Sequence, residues 1–319
     1  MANFWQKLSK PFTVLAPMDD VTDIAFREVI TKFLPRPEVF FTEFVSADGL
    51  TSLGRNASLP KLRFTENQRP IVAQIWGTNP ANLNLASKTV RDLGFDGVDI
   101  NMGCPVRAVM KKGAGAALSK NQKLAKEIIY AVRDGAGNMP VSVKTRLGVN
   151  EIITSEWISF LLAQKLDALT VHGRIAKQMS DGEANWNEIG IAVTLKNKIA
   201  PETVIVGNGD IKSYQQVLEM HKIHGVDGVM IGRGIFHNPW VFEKTVTIHS
   251  TSDYLDVLLH HLDLFEELWE EKKNFAMMKK FFKMYVKSMT GANKLRVELM
   301  DCNSVSEARE LVNKIKASV

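Results

Sequence analysis

Eight short apolar runs rich in β-branched residues recur along the chain, and each ends on a residue with chemistry to offer. The runs are Thr13–Leu15, Val39–Phe41, Ile71–Ala73, Gly97–Ile100, Val141–Val143, Ala168–Val171, Val204–Val206 and Gly228–Ile231. Stretches with helical periodicity lie between them, clearest at Ala81–Leu93, Gln122–Asp134, Ile152–Gln164 and Ser213–His224. Punctuation such as Asn79-Pro80 and Gly94 marks their limits. Alternation of this kind predicts parallel βαβ units. Most runs are apolar on both faces, as strands covered on both sides must be. Eight units predict an α/β fold closed as a (β/α)8 TIM barrel. No GxGxxG follows an early run to favour an open dinucleotide-binding sheet.

The residues closing the runs are Pro17-Met18, Glu43, Gln74, Asn101, Lys144, His172, Asn208 and Gly232-Arg233. In a barrel these ends converge on one face, where active sites lie. Any strand must stop at something polar, so a single Asn or Lys carries little. Eight chemically diverse ends, with Lys, His and Arg among them, predict a site.

The last two runs open into Gly207-Asn208-Gly209-Asp210 and Gly232-Arg233-Gly234. Glycines there let backbone N–H groups approach a ligand closely, and Arg233 adds a charge-assisted contact. Tight turns also use glycine. Two such turns on adjacent final strands, one carrying Arg, favour a phosphorylated cofactor.

The fourth run leads to Asn101-Met102-Gly103-Cys104-Pro105. A lone cysteine is usually a packing residue. That reading suits Cys302 and suits Cys104 poorly, since Cys104 sits between Gly and Pro at the barrel mouth. A thiol there can serve as nucleophile or proton donor. With only two cysteines, the 319-residue chain is no disulfide scaffold and carries no zinc motif; no metal is expected. A reducing cytoplasm is the expected location. No apolar run approaches membrane-spanning length, and the first ten residues show no signal-peptide pattern.

After about Glu243 the strand pattern stops, which divides the chain at 1–243 and 244–319. The second part reads as a small all-helical domain with segregated charge. Asp253 to Glu271 contains no Lys or Arg, and Lys272 to Val297 contains no Asp or Glu. Lys279, Lys283 and Lys287 are spaced four apart, which places them on one helix face. Solvated lysines are common on helices. An acid-free run of this length, in a chain of net charge +5, favours contacts to a polyanion.

These residues resemble the tRNA-dihydrouridine synthases. The matching motifs are Ala16-Pro17-Met18, Thr42-Glu43, Asn101-Met102-Gly103-Cys104-Pro105, Val143-Lys144-Thr145-Arg146, His172-Gly173-Arg174, Gly207-Asn208-Gly209-Asp210 and Gly232-Arg233-Gly234. Gln178, Gly182, Ala184 and Trp186 extend the match, in the family's order. Ile175, Met179 and Asn185 stand where the family usually has Thr, Tyr and Asp.

The resemblance implies reduction of the C5=C6 bond of a uridine in tRNA, with FMN at the barrel mouth and NADPH as reductant. Pro17, Met18, Gln74, Lys144 and His172 would line the flavin. Asn208, Gly209, Asp210, Gly232 and Arg233 would hold its phosphate. Asn101, Lys144, His172 and Arg174 would meet the base, and the C-terminal helices with Lys279, Lys283 and Lys287 would meet the tRNA. Hydride would pass from flavin N5 to C6, and Cys104 would protonate C5, which requires a thiol still carrying its proton. Lys144 would stabilise the reduced flavin anion. A stacked base would have to flip into the pocket. A monomer is expected.

The rival readings are an FMN barrel acting on a free pyrimidine, of the dihydroorotate dehydrogenase kind, a tRNA-binding barrel without catalysis, and a flavin-free sugar-phosphate barrel. The basic helical appendage argues against the first, and Cys104, Lys144 and His172 against the second.

Overall fold

The computed structural model describes residues 3–317 apart from 271, 288 and 290. All eight apolar runs are strands: β1 Phe12–Leu15, β2 Phe40–Ser46, β3 Ile71–Trp76, β4 Gly97–Met102, β5 Val141–Arg146, β6 Ala168–His172, β7 Val204–Asn208 and β8 Gly228–Ile231. They pair in parallel in the order β1-β8-β7-β6-β5-β4-β3-β2. The last seam closes where Val14 bridges Val39. Leu15 N–H donates to Val39 O at 3.0 Å, and Val39 N–H to Thr13 O at 3.2 Å.

Side chains alternate between two layers, as strand geometry requires. Phe12, Val14, Val72, Ala168, Val206 and Met230 face inward and form one apolar cluster. Leu15, Ile100, Val143, Leu169, Ile205 and Ile231 face the surrounding helices in the main core. Steps of two from the inward residues reach Gln74 from Val72, His172 from Ala168 and Asn208 from Val206. On β4 beyond Gly97, and on β5, the inward positions are polar: Asp99 and Asn101, then Ser142, Lys144 and Arg146. Several strands outrun their apolar stretches for this reason: β3 continues past Ala73 to Trp76 because the ladder persists where the inward residue turns polar.

The opposite end of the barrel is plugged. Trp5, on a short 3-10 turn Phe4–Lys7, is buried against Phe12 and Phe41 with ring centroids 6.0 and 6.3 Å away. Asn3 ties this plug to Asp167 at 2.7 Å. An acid preceding each even strand accepts from the first or second backbone N–H of a neighbouring odd strand. Glu38 accepts from Thr13, Asp96 from Ile71, Asp167 from Val141 and Asp227 from Ile205, at 2.7 to 2.8 Å. Each acid thereby pairs a strand-start N–H that would otherwise lack a partner among the buried strand ends.

The expected helices are present as Pro80–Asp92, Gln122–Ala136, Thr154–Leu162 and Tyr214–His224, joined by Ile24–Phe33 and Trp186–Ile199. Asn79, Asn121 and Ser213 cap three of them with side-chain oxygens. Beyond residue 243 the described residues form helices and no strand. The longest, Thr251–Trp269, opens with a capping box of Ser250 and Asp253 and packs against Ile24–Phe33. Asp23 joins the two regions: it caps Ile24–Phe33 and also accepts from Trp269 Nε1 at 3.1 Å and Lys273 Nζ at 2.7 Å. Among the described residues no helix is long and apolar enough to cross a membrane.

The expected three-lysine helix face is cut short. The helix holding Lys279 and Lys283 ends at Tyr285, and Val286 leaves helical geometry at φ −100° and ψ 82°. Lys287 therefore departs from the face. It folds back to the His237 carbonyl and lies 5.3 Å from the Tyr254 ring centroid.

Candidate active site

A cleft of about 730 Å³ opens at the carboxyl ends of the strands. The barrel residues given a binding or catalytic role from the sequence line it: Pro17, Met18, Gln74, Asn101, Cys104, Lys144, His172, Arg174, Asn208, Gly209, Asp210, Gly232 and Arg233; Glu43, which closes the second run, does not. The alternation of inward residues is what brings them together. Lys279, Lys283 and Lys287 lie outside it.

Cys104 sits half-buried on the turn after β4. Asn101 Oδ1 accepts the backbone N–H groups of Gly103 at 3.1 Å and Cys104 at 2.9 Å, which shapes the turn. Arg146 Nε donates to Gly103 O at 2.9 Å and braces it from β5. Glycine suits position 103, since a Cβ would sit 3.2 Å from the Thr145 backbone, tighter than ordinary contact. Burial pushes the Cys104 thiol above its ordinary range, against the nearby Val106 N–H and the Arg146 charge. The group is a thiol, not a thiolate, at neutral pH.

Lys144 projects into the cleft and donates to Asn208 Oδ1 at 3.1 Å, while Asn208 Nδ2 is held by Met230 O at 2.9 Å. Burial, then the neighbouring Arg146, lowers the Lys144 pKa to about 8. His172 stands beside it. Burial and the charges of Lys144, Arg146, Arg174 and Arg233 push its pKa well below the ordinary histidine value. The imidazole is neutral. Arg174 Nη1 lies 3.2 Å from His172 Nε2 and can only donate, so Nε2 accepts and Nδ1 carries the proton.

Arg174 is buried and extensively engaged. Its Nη2 reaches both Asp210 oxygens at 2.7 Å and Gly182 O at 2.5 Å. It clamps the segment after β6 to the turn after β7. Trp186 Nε1 reinforces this by donating to Gly209 O at 3.0 Å. Gly209 adopts φ +145°, and a Cβ would lie 2.4 Å from Ala184 Cβ. Only glycine fits. The residues at the three departures from the family pattern lie nearby. Asn185 N–H donates to Gly173 O at 2.6 Å and its side chain caps Trp186–Ile199. Met179 takes φ +51°, and Ile175 N–H donates to Gln178 Oε1 at 2.9 Å.

The β1 end is anchored from below. Met18 N–H donates to Thr22 Oγ1 at 2.9 Å, and Asp20 N–H donates to the buried Glu43 at 2.7 Å. Asp19, Asp20 and Glu43 cluster closely. Lys61 fills this cluster, pairing with Asp19 and lying 3.7 Å from Glu43.

Sequence reasoning gave no role to Arg146, Asp99 or Glu43. All three are buried polar residues of the barrel mouth. A signal existed for two of them: Asp99 and Arg146 stand two residues from Asn101 and Lys144, on the same inward parity.

Lys144, Arg146, Arg174, Lys212 and Arg233 line the cleft against Asp19, Glu183 and Asp210. With Asp210 paired to Arg174 and Asp19 to Lys61, positive charge is left in excess. Such a cleft suits an anionic occupant.

A family model described as dihydrouridine synthase matches residues 14–319. A "Probable tRNA-dihydrouridine synthase" from Staphylococcus epidermidis is 44% identical over 318 residues, 99% of this chain and 97% of that protein. "Probable tRNA-dihydrouridine synthase 2" from Bacillus subtilis is 43% identical over 314 residues, 98% of this chain and 96% of that one. Among solved structures, histamine dehydrogenase from Rhizobium sp. 4-9 aligns at TM-score 0.55 and 12% identity, over 80% of this chain and 49% of that one. Morphinone reductase in complex with tetrahydroNAD aligns at 0.50 and 10%, over 76% and 89%. At such identity they speak for the fold alone, a barrel like this one. Matched by the family model over nearly its whole length and by close relatives from end to end, the chain belongs to the dihydrouridine synthase family.

Proposed function

We propose that this protein is a cytoplasmic, monomeric oxidoreductase that reduces a uridine in tRNA to 5,6-dihydrouridine, using FMN recharged by NADPH. The observation that carries the reading is the single cleft in which Cys104 faces Lys144, His172 and the two glycine turns. The donor set suits FMN. Its excess of positive charge matches a phosphate and the negative charge that a reduced isoalloxazine would carry. Asn208, Gly209, Asp210, Gly232 and Arg233 would hold the phosphate, and Pro17, Met18, Gln74, Lys144 and His172 would border the rings. FMN held there would supply hydride chemistry for C6 of the uracil C5=C6 bond, with NADPH as the source of its electrons.

The chain's own residues do the rest. Cys104 holds a proton at Sγ for C5, and burial keeps it there until the carbon becomes basic. Lys144 is cationic below about pH 8 and stabilises negative charge developing beside it. His172 stays neutral, so its Nδ1–H donates without adding charge. Asn101 and Arg174 border the base, with most of their polar atoms holding the walls in place. The base enters only after leaving the tRNA stack. Residues 244–319 would carry the tRNA body, with Lys283 the most available of the three lysines for a phosphate.

The test is product analysis. The purified protein, FMN, NADPH and tRNA transcribed without modification are incubated, and the nucleosides are analysed by mass. Dihydrouridine, absent when NADPH is omitted, is the expected product. Its absence with FMN bound and several tRNAs supplied would overturn the reading in favour of a small-molecule substrate.

A further inference from the structure

Four buried side chains run in a line from the barrel interior to the cysteine turn. Ser142 Oγ donates to Asp99 Oδ1 at 2.6 Å, and Gln74 Nε2 donates to Asp99 Oδ2 at 2.8 Å. Asn101 Nδ2 donates to Gln74 Oε1 at 2.9 Å. The backbone N–H groups of Gly103 and Cys104 donate to Asn101 Oδ1. Asp99 and Gln74 expose no surface, and Asn101 exposes 6%.

The direction of this line is forced from the turn. A backbone N–H only donates, so Asn101 must present its oxygen to the turn and its NH2 to Gln74. Gln74 must then present its oxygen to Asn101 and its NH2 inward. That NH2 needs an acceptor at a depth where the side chains around it have almost no exposed surface. Asp99 supplies it. With an apolar residue at 99, the Gln74 NH2 is orphaned, and turning the amide over would set two NH2 groups face to face at Asn101. Either outcome loosens the hold on Gly103 and Cys104.

We propose that Asp99 is a positioning residue: by accepting from Gln74 it fixes the amides of Gln74 and Asn101, and so holds the Cys104 turn where its thiol meets the substrate. The functional half of this rests on reading Cys104 as the proton donor. Asp99 does not line the cleft and acts only through its neighbours. What matters is an acceptor at this position, not the charge. Asp99→Asn keeps it, because the amide oxygen can face Gln74 while its NH2 donates to the Ser142 hydroxyl, which accepts as well as donates. Asp99→Leu does not.

The experiment measures alkylation of Cys104 by iodoacetamide in the FMN-loaded enzyme, on a Cys302→Ser background so that one thiol reacts. Steady-state tRNA reduction is measured alongside. Asp99→Leu should change the alkylation rate by about fivefold or more, the size expected when one orienting hydrogen bond is lost. It should lower kcat by about tenfold while leaving the KM for tRNA within about twofold, because the tRNA contacts are untouched. Asp99→Asn should stay near wild type in both. Asn101→Ala should alter alkylation as Asp99→Leu does, and the double variant should add nothing further. If Asp99→Leu does not fold, Gln74→Met replaces it in the same cycle. A wild-type alkylation rate in Asp99→Leu, additive effects in the double variant, or an Asp99→Asn as impaired as Asp99→Leu would each overturn the proposal. Should Cys104→Ala keep full tRNA reduction, the proton-donor reading fails on its own, and the alkylation cycle still decides whether Asp99 holds the turn.

Discussion

Nη2 of Arg174 lies 2.7 Å from both carboxylate oxygens of Asp210, so one ion pair clamps the ends of β6 and β7 together. The arginine is buried and the aspartate is partly open to solvent. Burial raises the Asp210 pKa, but the Arg174 hydrogen bond and the Ala184 N–H outweigh it, and the net direction is downward. The stabilisation is present at neutral pH and lost as pH falls through the lowered value. Asp210→Asn removes the counter-charge of a buried guanidinium and should cost roughly 1–3 kcal/mol, discounted for the exposed side of the pair. Thermal unfolding at pH 7 checks this, and the gap from wild type should close as the pH is lowered below the carboxylate range.

Cys104→Ala should keep FMN affinity and the rate of flavin reduction by NADPH, and lower tRNA reduction by about 10²–10⁴-fold, the range for loss of a positioned acid. Separate stopped-flow measurement of the two half-reactions distinguishes these steps. A variant with a normal oxidative half-reaction removes the thiol from the mechanism.

Lys144 pits stability against activity. Its folded pKa of about 8 lies below the free-lysine value, so above about 8 the unfolded chain binds the extra proton and stability rises with pH. The buried charge is thus a cost to the fold at pH 7. Lys144→Met should leave the flavin-free protein as stable as wild type or about 1 kcal/mol more stable. It should also slow tRNA reduction by at least about tenfold. In the wild type, tRNA reduction should decline as pH rises through about 8. Calorimetry of the flavin-free protein and a pH–rate profile test the two halves.

The three lysines of the C-terminal segment should not behave alike. Lys279 donates to Met300 O at 2.5 Å and Lys287 is held by the His237 carbonyl, whereas Lys283 is exposed. Lys283→Glu should weaken tRNA binding and reduce the salt dependence of affinity by about one counterion. Lys287→Glu should instead lower the unfolding midpoint, because it places a carboxylate against a carbonyl and the Tyr254 ring. Binding titrations at two salt concentrations, with melting curves, separate the effects. Equal losses of affinity from both would restore the single lysine face.

The barrel was legible because its signals are local. Apolar runs of three or four residues, such as Val204–Val206, fix a strand wherever one face meets the helices and the other the barrel interior. The cleft was legible for a related reason: polar residues on inward parity at the strand ends have one place to go. What stayed hidden depends on contacts distant in sequence. Trp5 plugs the barrel through Phe12 and Phe41, and nothing in the first ten residues alone announces that. Parity turns Asp99 inward, but its task is hidden without knowing that Gln74, 25 residues earlier, faces it. Lys287 kept the four-residue spacing of a helix, but Val286 breaks from helical geometry and sends it back to His237. Spacing gives a face only while the helix lasts.

The most direct test is a single anaerobic experiment on the flavin-loaded enzyme. The flavin is reduced with NADPH, excess reductant is removed, and tRNA lacking dihydrouridine is added while flavin absorbance is followed. The oxidised flavin spectrum should return with tRNA and remain absent with orotate or fumarate. Reoxidation by orotate or fumarate and not by tRNA would contradict the assignment, and so would failure to bind FMN at all.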